Sequence, residues 1–323
     1  MDTERIPTFD DVLQARARIR EVVHHTPVLT SRLLNAMSGT ELFFKCENFQ
    51  RVGAFKFRGA SNAVFALPES QLARGVATHS SGNHAQALAL AARIKGVPAY
   101  IVMPQNSPAV KVAAVKAYGA HITFCEPTLQ AREETLERVV SETGAVFIHP
   151  YNHPLVIAGQ GTAALELLEK VPQLDVVMAP VGGGGLMSGT AISVRAMSPG
   201  TLPIGVEPIN ADDAYRSLQA GHIIIPHNPQ TIADGLRTAL GPLTFAILSQ
   251  NLDRMITVSE TGIVRAMRLI WERMKIIVEP SAAVPFAAVL ENPDFFKRKR
   301  VGIILSGGNV DLEQLPWMRE PSR

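Results

Sequence analysis

Apolar segments rich in β-branched and aromatic residues alternate along this chain with alanine-rich segments of helical period. This alternation is typical of β-α units on a parallel sheet. The pattern predicts strands over residues 42–46, 76–79, 99–103, 122–125, 146–149, 176–179, 204–207, 255–258 and 301–305. It predicts helices that include residues 83–95, 109–118, 129–143, 161–170, 186–197, 261–273 and 281–290.

The number of β-α units bears on the domain organisation. They exceed what one small sheet needs, and 323 residues are enough for two domains of ordinary size. The sequence therefore predicts an α/β fold with two packed lobes, each with a parallel-sheet core. A ligand cleft is expected at the carboxyl ends of the strands. No linker rich in glycine, serine or proline marks a boundary.

Composition and charge exclude several classes of protein. A hydrophobic share of 46% and a charged share of 19% are those of a globular chain. The formal net charge is +2, and the basic tetrad at 297–300 is more typical of a solvated loop than of a nucleic-acid contact. We expect no nucleic-acid partner.

Cysteine usage and apolar runs bear on the compartment. Cys46 and Cys125 cannot form a disulfide framework, and the polar start of the chain has no apolar signal core. A reducing, cytoplasmic compartment is therefore expected. Pro180 and four glycines interrupt the longest uncharged stretch, residues 176–194, which indicates strand, loop and helix and no membrane partner.

Three glycine-containing turns follow predicted strands. Four consecutive glycines, 182–185, open a predicted helix, where backbone N–H groups and the helix dipole favour a phosphate. A plain tight turn is the alternative. Residues 80–84 and 305–309 also bring hydroxyl and amide side chains to strand ends, as a cleft for a polar, phosphorylated ligand requires. Ser81 or Asn83 could instead cap the following helix.

Two further positions carry candidate chemistry. Lys56 lies between two phenylalanines. An apolar environment lowers the pKa of an ammonium group, as a Schiff-base lysine requires. A solvated lysine on a helix is the alternative. Glu207 ends a predicted strand, and Asp213 follows six positions later. Two such carboxylates can bind Mg²⁺ or Ca²⁺, and a helix cap is the alternative. The histidine pairs His79/His84 and His149/His153 have no supporting Cys or Glu ligands for zinc, and no serine-hydrolase or metalloprotease motif occurs.

These features together resemble the fold-type II pyridoxal phosphate enzymes, in the branch of serine/threonine dehydratases and serine racemases. The resemblance covers nearly the whole chain. It rests on the blocks FKFRGA at 55–60, SSGNH at 80–84, VIAGQGT at 156–162, GGGG at 182–185, ADG at 233–235 and LSGGN at 305–309. It implies a large cofactor-binding domain of residues 1–72 and 150–323 and a small domain of residues 73–149 that closes on substrate.

The resemblance also implies roles for individual residues. Lys56 would carry pyridoxal phosphate and act as a catalytic base, and Ser81 would be the acid or base on the opposite face. The other cofactor-binding residues would be Phe55, Asn83, Gly182, Gly183, Gly184, Gly185, Gly235 and Ser306. The substrate would meet Ser80, Ser81, Gly82, His84 and Arg132, and a divalent cation (Mg²⁺, Mn²⁺ or Ca²⁺) would meet Glu207, Ala211 and Asp213.

The activity implied is an ammonia-lyase acting on serine, threonine or 3-hydroxyaspartate, in a homodimer. Tyr151 is more usual in dehydratases than in racemases of this kind, so a lyase is favoured over an amino-acid racemase. Arg132 could bind a second substrate carboxylate, or pair on the helix surface with Glu133 or Glu134. From another class, a non-catalytic protein that binds the cofactor or an amino acid stays open.

Overall fold

The computed structural model describes residues 5–80, 82–107, 109–226 and 228–318. Its strands are β1 (Val28–Leu29), β2 (Glu41–Cys46), β3 (Val76–His79), β4 (Ala99–Pro104), β5 (His121–Cys125), β6 (Val146–Phe147), β7 (Val176–Pro180), β8 (Leu202–Pro208), β9 (Arg254–Val258) and β10 (Arg300–Leu305). Its α-helices are α1 (Phe9–Ile19), α2 (Arg32–Ser38), α3 (Lys56–Phe65), α4 (Glu69–Leu72), α5 (Asn83–Lys95), α6 (Ala109–Ala117), α7 (Leu129–Thr143), α8 (Pro154–Lys170), α9 (Gly185–Met197), α10 (Asp213–Ala220), α11 (Pro242–Asn251), α12 (Glu260–Met274), α13 (Pro280–Glu291) and α14 (Pro293–Phe296).

The strands form two sheets. The six-stranded sheet has the order β1-β2-β10-β7-β8-β9, in which β1 is antiparallel to β2 and the remaining pairs are parallel. The four-stranded sheet has the order β5-β4-β3-β6 and is parallel throughout. The predicted α/β fold with two parallel-sheet cores is confirmed. Because parallel strands end at the same edge, the loops after β7 and β10 come together.

Each sheet buries an apolar core. Phe44, Met178 and Ile303 on the large sheet pack with Phe286 of α13 and Met267 of α12. A separate core joins the small sheet to α5 and α3; it includes Val76, Ile101, Leu88, Phe57 and Val64. The helix α3 therefore packs beside the small sheet, although its first residues follow a strand of the large one.

The predicted strands occur with ends within two residues of those expected. The helix predicted over residues 161–170 instead begins at Pro154. Glycines weaken helical propensity, but here they allow close helix packing: a Cβ on Gly161 would lie 2.8 Å from the carbonyl oxygen of Gly189, and one on Gly159 would lie 2.7 Å from that of Arg58. Tertiary contact therefore outweighs local propensity.

The uncharged stretch of residues 176–194 forms the buried strand β7, a glycine loop and the first part of α9, as predicted. Within the described ranges, no helix is both long and apolar enough to cross a membrane.

Candidate active site

Lys56 is the first residue of α3, and its side chain reaches the loop between β6 and α8. The Nζ atom donates to the carbonyl oxygen of Pro150 at 2.9 Å and lies 5.2 Å from the ring centroid of Phe55 and 6.0 Å from that of Tyr151. Burial lowers the pKa of this amine to about 8, partly offset by the charge of Glu279. The expectation of an apolar environment for Lys56 agrees with this geometry.

The four glycines connect β7 to α9 and leave no room for side chains. A Cβ on Gly182 would lie 2.9 Å from the Cα of Leu236, and one on Gly183 would overlap the ring of Tyr151. Gly184 has a φ of 84°, which favours glycine, and α9 begins at Gly185. The loop therefore presents backbone N–H groups at a helix N-terminus, which is the geometry of an anion site.

Ser306 and Gly235 border the same region. Ser306 follows β10, is buried, and accepts a hydrogen bond at its carbonyl oxygen from the backbone N–H of Phe55 at 2.9 Å. The carbonyl oxygen of Gly235 lies 3.0 Å from the position of a Cβ on Gly182. The lysine helix, the glycine loop and the turn after β10 are therefore neighbours, as the sequence motifs indicated.

Asn83 begins α5 and is held from two sides. Its Nδ2 donates to both carboxylate oxygens of Glu279, at 3.0 and 3.2 Å. Its Oδ1 accepts from Nδ2 of Asn309 at 2.9 Å, and the same Asn309 nitrogen donates to the carbonyl oxygen of Val52 at 2.7 Å. The Asn83 amide is thus fixed in orientation.

Glu279 is a site residue that sequence reasoning missed. It is 5% exposed, precedes α13, and its backbone N–H donates to the carbonyl oxygen of Gly307. Burial raises the pKa of its carboxyl to about 7; the charge of Asp234 raises it further, while the Asn83 hydrogen bond opposes the change. The available signal was a lone carboxylate between Val278 and a helix-starting proline in an otherwise apolar segment.

The pKa of Glu279 leads to a prediction about stability. The folded protein keeps this proton up to about pH 7, whereas an unfolded glutamate loses it near 4.5. The free energy of unfolding therefore falls as pH rises through that window. Glu279→Gln has no carboxyl group to lose a proton. At pH 8 the free energy of unfolding of the cofactor-free variant should therefore exceed that of wild type by up to roughly 3 kcal/mol, and at pH 4 the two should be equal.

Urea unfolding of cofactor-free protein at several pH values measures this difference. Glu137→Gln, at an exposed position on α7, is the control and should follow wild type at each pH. If the free energies of unfolding of Glu279→Gln and wild type change in parallel across pH 4–8, the pKa of Glu279 is not raised in the folded protein.

The turn between β3 and α5 contains most of the predicted substrate-binding residues. Ser80 Oγ accepts from the backbone N–H of Gly82 at 3.2 Å, and Gly82 stands at the helix N-cap. His84 is buried in α5, where burial and the nearby Lys56 charge keep the pKa of its imidazole well below the usual value. Its ring nitrogen Nε2 lies 3.3 Å from the carbonyl oxygen of Ile148. Ser81, the predicted second acid or base, lies outside the described residues.

A row of rings extends from Lys56 toward the small sheet. Tyr151 meets His149 edge to face at 4.5 Å between ring centroids, and His149 meets His79 at 6.4 Å. Nδ1 of His149 accepts from the backbone N–H groups of residues 151 and 152, so its proton lies on Nε2. Burial lowers the pKa of His149 to about 3 and that of His79 to about 4, and the Arg132 charge adds to the effect on His79.

Arg132 lies on α7 near the far end of this row. Its Nε donates to the carbonyl oxygen of Thr128 at 3.3 Å. Glu134, one of its expected surface partners, accepts instead from Gln130 at 2.7 Å. Among the described acidic residues, none forms an ion pair with Arg132. The structure therefore does not show the alternative, an ion pair of Arg132 with Glu133 or Glu134 on the helix surface.

The predicted metal ligands meet at the start of α10. Both carboxylate oxygens of Glu207 accept backbone N–H groups, from Ala214 at 3.2 Å and Tyr215 at 2.8 Å. Both carboxylate oxygens of Asp213 are buried without a hydrogen-bond partner among the described residues. Ala211 is the buried residue of the short turn between them.

The surroundings of these two carboxylates disfavour their charged forms. Burial raises the pKa of Asp213 to about 7, and burial with the neighbouring Asp213 charge raises that of Glu207 well above its usual value. Over the described parts of the chain, no group of three or more His, Cys, Asp or Glu side chains gathers as a metal site. Two carboxylates and a carbonyl oxygen suit a hard cation that keeps part of its water shell.

The arrangement around Lys56 fits a cofactor that has both an aldehyde and a phosphate. The lysine supplies an amine of lowered pKa, and Asn83 supplies an amide of fixed orientation. The glycine loop supplies an anion-binding site in which there is no room for a Cβ atom. The chain belongs to the pyridoxal-phosphate-dependent enzymes: the family model described as "Pyridoxal-phosphate dependent enzyme" matches residues 19–307.

Individual relatives match over nearly their full length. The β-hydroxyaspartate dehydratase of Paracoccus denitrificans is 53% identical, over 97% of this chain and 99% of its own. The L-threo-3-hydroxyaspartate ammonia-lyase of Saccharomyces cerevisiae is 52% identical, over 96% of this chain and 95% of its own. The crystal structure of serine racemase from Dictyostelium discoideum is 50% identical with a TM-score of 0.91, and the match covers 95% of this chain and 100% of that one.

Proposed function

We propose that the chain is an ammonia-lyase that converts a β-hydroxy amino acid into a 2-keto acid and ammonia, with 3-hydroxyaspartate as its preferred substrate. The observation that carries the substrate choice is Arg132, a guanidinium that forms no ion pair with the described acidic residues and whose charge acts on His79, the last ring of the row that starts beside Lys56. The names of the relatives at 53% and 52% identity support the same choice.

The overall reaction balances without an added oxidant or reductant. The α-carbon loses a proton and the β-carbon loses hydroxide, so one water leaves; one water then hydrolyses the remaining carbon–nitrogen bond and releases ammonia. Pyridoxal phosphate supplies, when bound, the electron sink for the pair released from the α-carbon. From 3-hydroxyaspartate the product is oxaloacetate, from serine pyruvate, and from threonine 2-oxobutyrate.

Residues of the chain account for the other requirements. Lys56 would bind the cofactor covalently and, as a free amine, remove the α-proton at Nζ; a pKa of about 8 keeps part of this amine neutral near pH 7. Residues 182–185 would hold the phosphate, and Asn83, Gly235 and Ser306 would orient the ring. The turn at 80–84 would bind the α-carboxylate, with backbone N–H groups as donors.

Arg132 would bind the second carboxylate of the substrate. A guanidinium makes two parallel hydrogen bonds to a carboxylate, and these are charge-assisted. His79 and His149 cannot supply this positive charge, because their pKa values of about 4 and about 3 leave both rings neutral at pH 7. The two histidines would therefore not contribute a charge to discrimination between hydroxyaspartate and threonine.

Release of keto acid from purified, cofactor-loaded protein tests this function. L-serine, L-threonine and the isomers of 3-hydroxyaspartate are compared in the presence of Mg²⁺, and the chirality of the remaining substrate is measured in the same samples. We expect oxaloacetate formation to dominate. Absence of keto acid from all substrates would contradict the lyase, and preference for threonine would contradict the role of Arg132.

Racemisation is the second candidate function, favoured by the 50% identity to a serine racemase. In that reaction Ser81 would act as the second acid, opposite Lys56, and return a proton to the α-carbon. D-serine that accumulates faster than pyruvate in the same samples would establish the racemase as the main activity.

We also propose a divalent cation, Mg²⁺, Mn²⁺ or Ca²⁺, between Glu207, Asp213 and the carbonyl oxygen of Ala211. It would brace the loop beside Tyr151, which lies against the glycine loop. A ligand present at a hundred times its dissociation constant stabilises a fold by about 2.7 kcal/mol. Removal of metal should therefore lower the melting temperature and the activity together, and Mg²⁺ should restore both.

Asp213→Asn is the variant that tests the cation. It should melt at the same temperature with and without Mg²⁺, whereas Asp253→Asn, whose carboxylate is bound to Arg195 just before β9, should keep the wild-type response. A full response to Mg²⁺ in Asp213→Asn would contradict this site.

Three organisational features complete the proposal. Residues 73–149, which hold the four-stranded sheet, would move as a small domain against residues 1–72 and 150–323. The ion pair of Lys111 and Asp234, 2.7 Å apart, joins the two parts and would break or form in that motion. A homodimer is expected by light scattering. Cys46 and Cys125 are unpaired and buried, which suits a reducing cytoplasm.

A further inference from the structure

A cluster of four charged side chains lies buried behind α3. Lys45 of β2, Glu47 directly after it, Arg58 of α3 and Glu166 of α8 are each at most 6% exposed. The cluster contains two positive and two negative groups, and it lies outside the residues assigned above to cofactor, substrate or metal.

Arg58 is the centre of this cluster. Its Nε and Nη2 donate to the two carboxylate oxygens of Glu47, at 2.7 and 2.9 Å. Its Nη1 and Nη2 donate to the two oxygens of Glu166, at 2.7 and 2.8 Å. The guanidinium thus makes two bidentate contacts at once, with a further bond to Thr162 at 3.1 Å. Such paired forks fix both position and direction.

The position of Arg58 on α3 connects the cluster to Lys56. Residues two apart on a helix point to nearly opposite sides. Accordingly Lys56 reaches the carbonyl oxygen of Pro150, while Arg58 reaches Glu47 and Glu166 on the other side. The cluster therefore holds the far side of the helical turn that carries the amine.

A second contact fixes the same turn. A Cβ on Gly159 of α8 would lie 2.7 Å from both the Arg58 carbonyl oxygen and the Gly59 Cα, so the two helix backbones are in direct contact. The backbone contact sets the distance between α3 and α8, and the forked ion pairs prevent α3 from rotating about that contact.

Stability alone is a poor reason for such a cluster. Four charges removed from water carry a large desolvation penalty, and well-packed apolar residues are often as stable as a buried ion pair or more so. What directional bonds provide in addition is a single orientation of the groups they join.

We propose that Arg58 is a positioning residue for Lys56: its bonds to Glu47 and Glu166 fix the first turn of α3, and so the direction from which the Lys56 amine meets cofactor and substrate. This inference rests on the role of Lys56 proposed above. A misplacement of about 1 Å in a reacting group can lower a rate about 100-fold.

Lys45 provides a matched control. It is fully buried in the same cluster and binds Glu166 and the carbonyl oxygen of Thr26, but it belongs to β2 and not to α3. Lys45→Met and Arg58→Met each leave one excess negative charge in the cluster. If the cluster only stabilises the fold, the two variants should lose stability and activity in parallel.

The experiment measures three properties of both cofactor-loaded variants: melting temperature, kcat and KM, and the circular dichroism of the bound cofactor in the visible region. We expect both to melt earlier than wild type. Arg58→Met should lose kcat about 100-fold with little change in KM and a changed dichroism band, whereas Lys45→Met should keep kcat within about threefold and the wild-type band.

A charge-compensated variant separates positioning from stability, and it serves if Arg58→Met does not fold. Arg58→Met with Glu47→Gln leaves Lys45 and Glu166 as a neutral buried pair, so much of the melting temperature should return while kcat stays low. Recovery of kcat together with stability, or an equal loss of kcat in Lys45→Met, would overturn the proposal.

A readout without substrate keeps this inference distinct from the proposed function. The rate at which cofactor-free protein captures added pyridoxal phosphate at Lys56 reports the orientation of the amine directly. Slower capture in the Arg58 variants than in Lys45→Met supports positioning even if no keto acid is formed by wild type. Equal capture rates in all variants would contradict it.

Discussion

Replacing Lys56 with alanine should abolish keto-acid release, with a loss in kcat of about 10⁴-fold or more. Two functions disappear together, because the same Nζ atom would anchor the cofactor and remove the α-proton. Two other lysines of the described residues are already engaged: Lys111 is bound to Asp234 at 2.7 Å, and Lys45 is enclosed in the buried cluster.

Cofactor binding gives a second measurement on the Lys56→Ala variant. Its visible absorbance band should be absent or removable by dialysis, whereas wild type should keep the band. Lys116→Ala, at an exposed position near the end of α6, is the control and should match wild type in both assays. A Lys56→Ala protein that retains either lyase or racemase activity would remove Lys56 from its proposed role.

Replacing Arg132 with glutamine should change the choice of substrate more than the chemistry. Loss of one partner of a charged hydrogen-bonded pair costs about 2–5 kcal/mol, which is roughly 30-fold to several thousand-fold in kcat/KM for 3-hydroxyaspartate. For serine and threonine, which have no second carboxylate, kcat/KM should change by less than about threefold. The ratio between the two classes of substrate is therefore the informative quantity.

Two controls sharpen the Arg132 prediction. Arg138→Gln removes a charge from an exposed position on the same helix and should leave the substrate ratio unchanged. Arg132→Lys keeps the charge but loses the planar fork, so it should fall between wild type and Arg132→Gln. An equal loss for all substrates in Arg132→Gln would indicate a structural effect on α7 and would contradict a substrate contact.

The sequence predicted those parts of the site that depend on local backbone geometry. The glycines at 182–185 follow a buried strand and open a helix, because no side chain fits against Leu236 and Tyr151. The paired carboxylates Glu207 and Asp213 were likewise predicted, since a strand end and a helix start bring them together within six positions.

The sequence could not predict features that depend on contacts distant along the chain. The sequence offered a helix at Lys56 only as the alternative for a solvated lysine, because Phe55, Lys56, Phe57 and Arg58 alternate like a strand. In the structure α3 begins at Lys56 and packs closely against α8. Arg58 and Glu166 are 108 positions apart, and no local pattern connects them.

Glu279 was missed for the same reason as the charged cluster. Its partner Asn83 is 196 positions away, and only the fold shows that this carboxylate faces the amide. From the sequence alone, a buried acid of this kind is predicted to be a surface residue at a helix start. The apolar residues that bury it come from other elements of the fold. Its raised pKa is likewise a property of the folded chain.

One competition assay tests the central claim most directly. Equal concentrations of L-threo-3-hydroxyaspartate and L-threonine are offered together to the cofactor-loaded, Mg²⁺-supplied protein. Oxaloacetate is trapped by immediate enzymatic reduction, and 2-oxobutyrate is measured separately. We predict that oxaloacetate forms faster by about 30-fold or more in wild type and that Arg132→Gln loses this preference. Faster formation of 2-oxobutyrate by wild type, or a preference that survives in Arg132→Gln, would contradict the account.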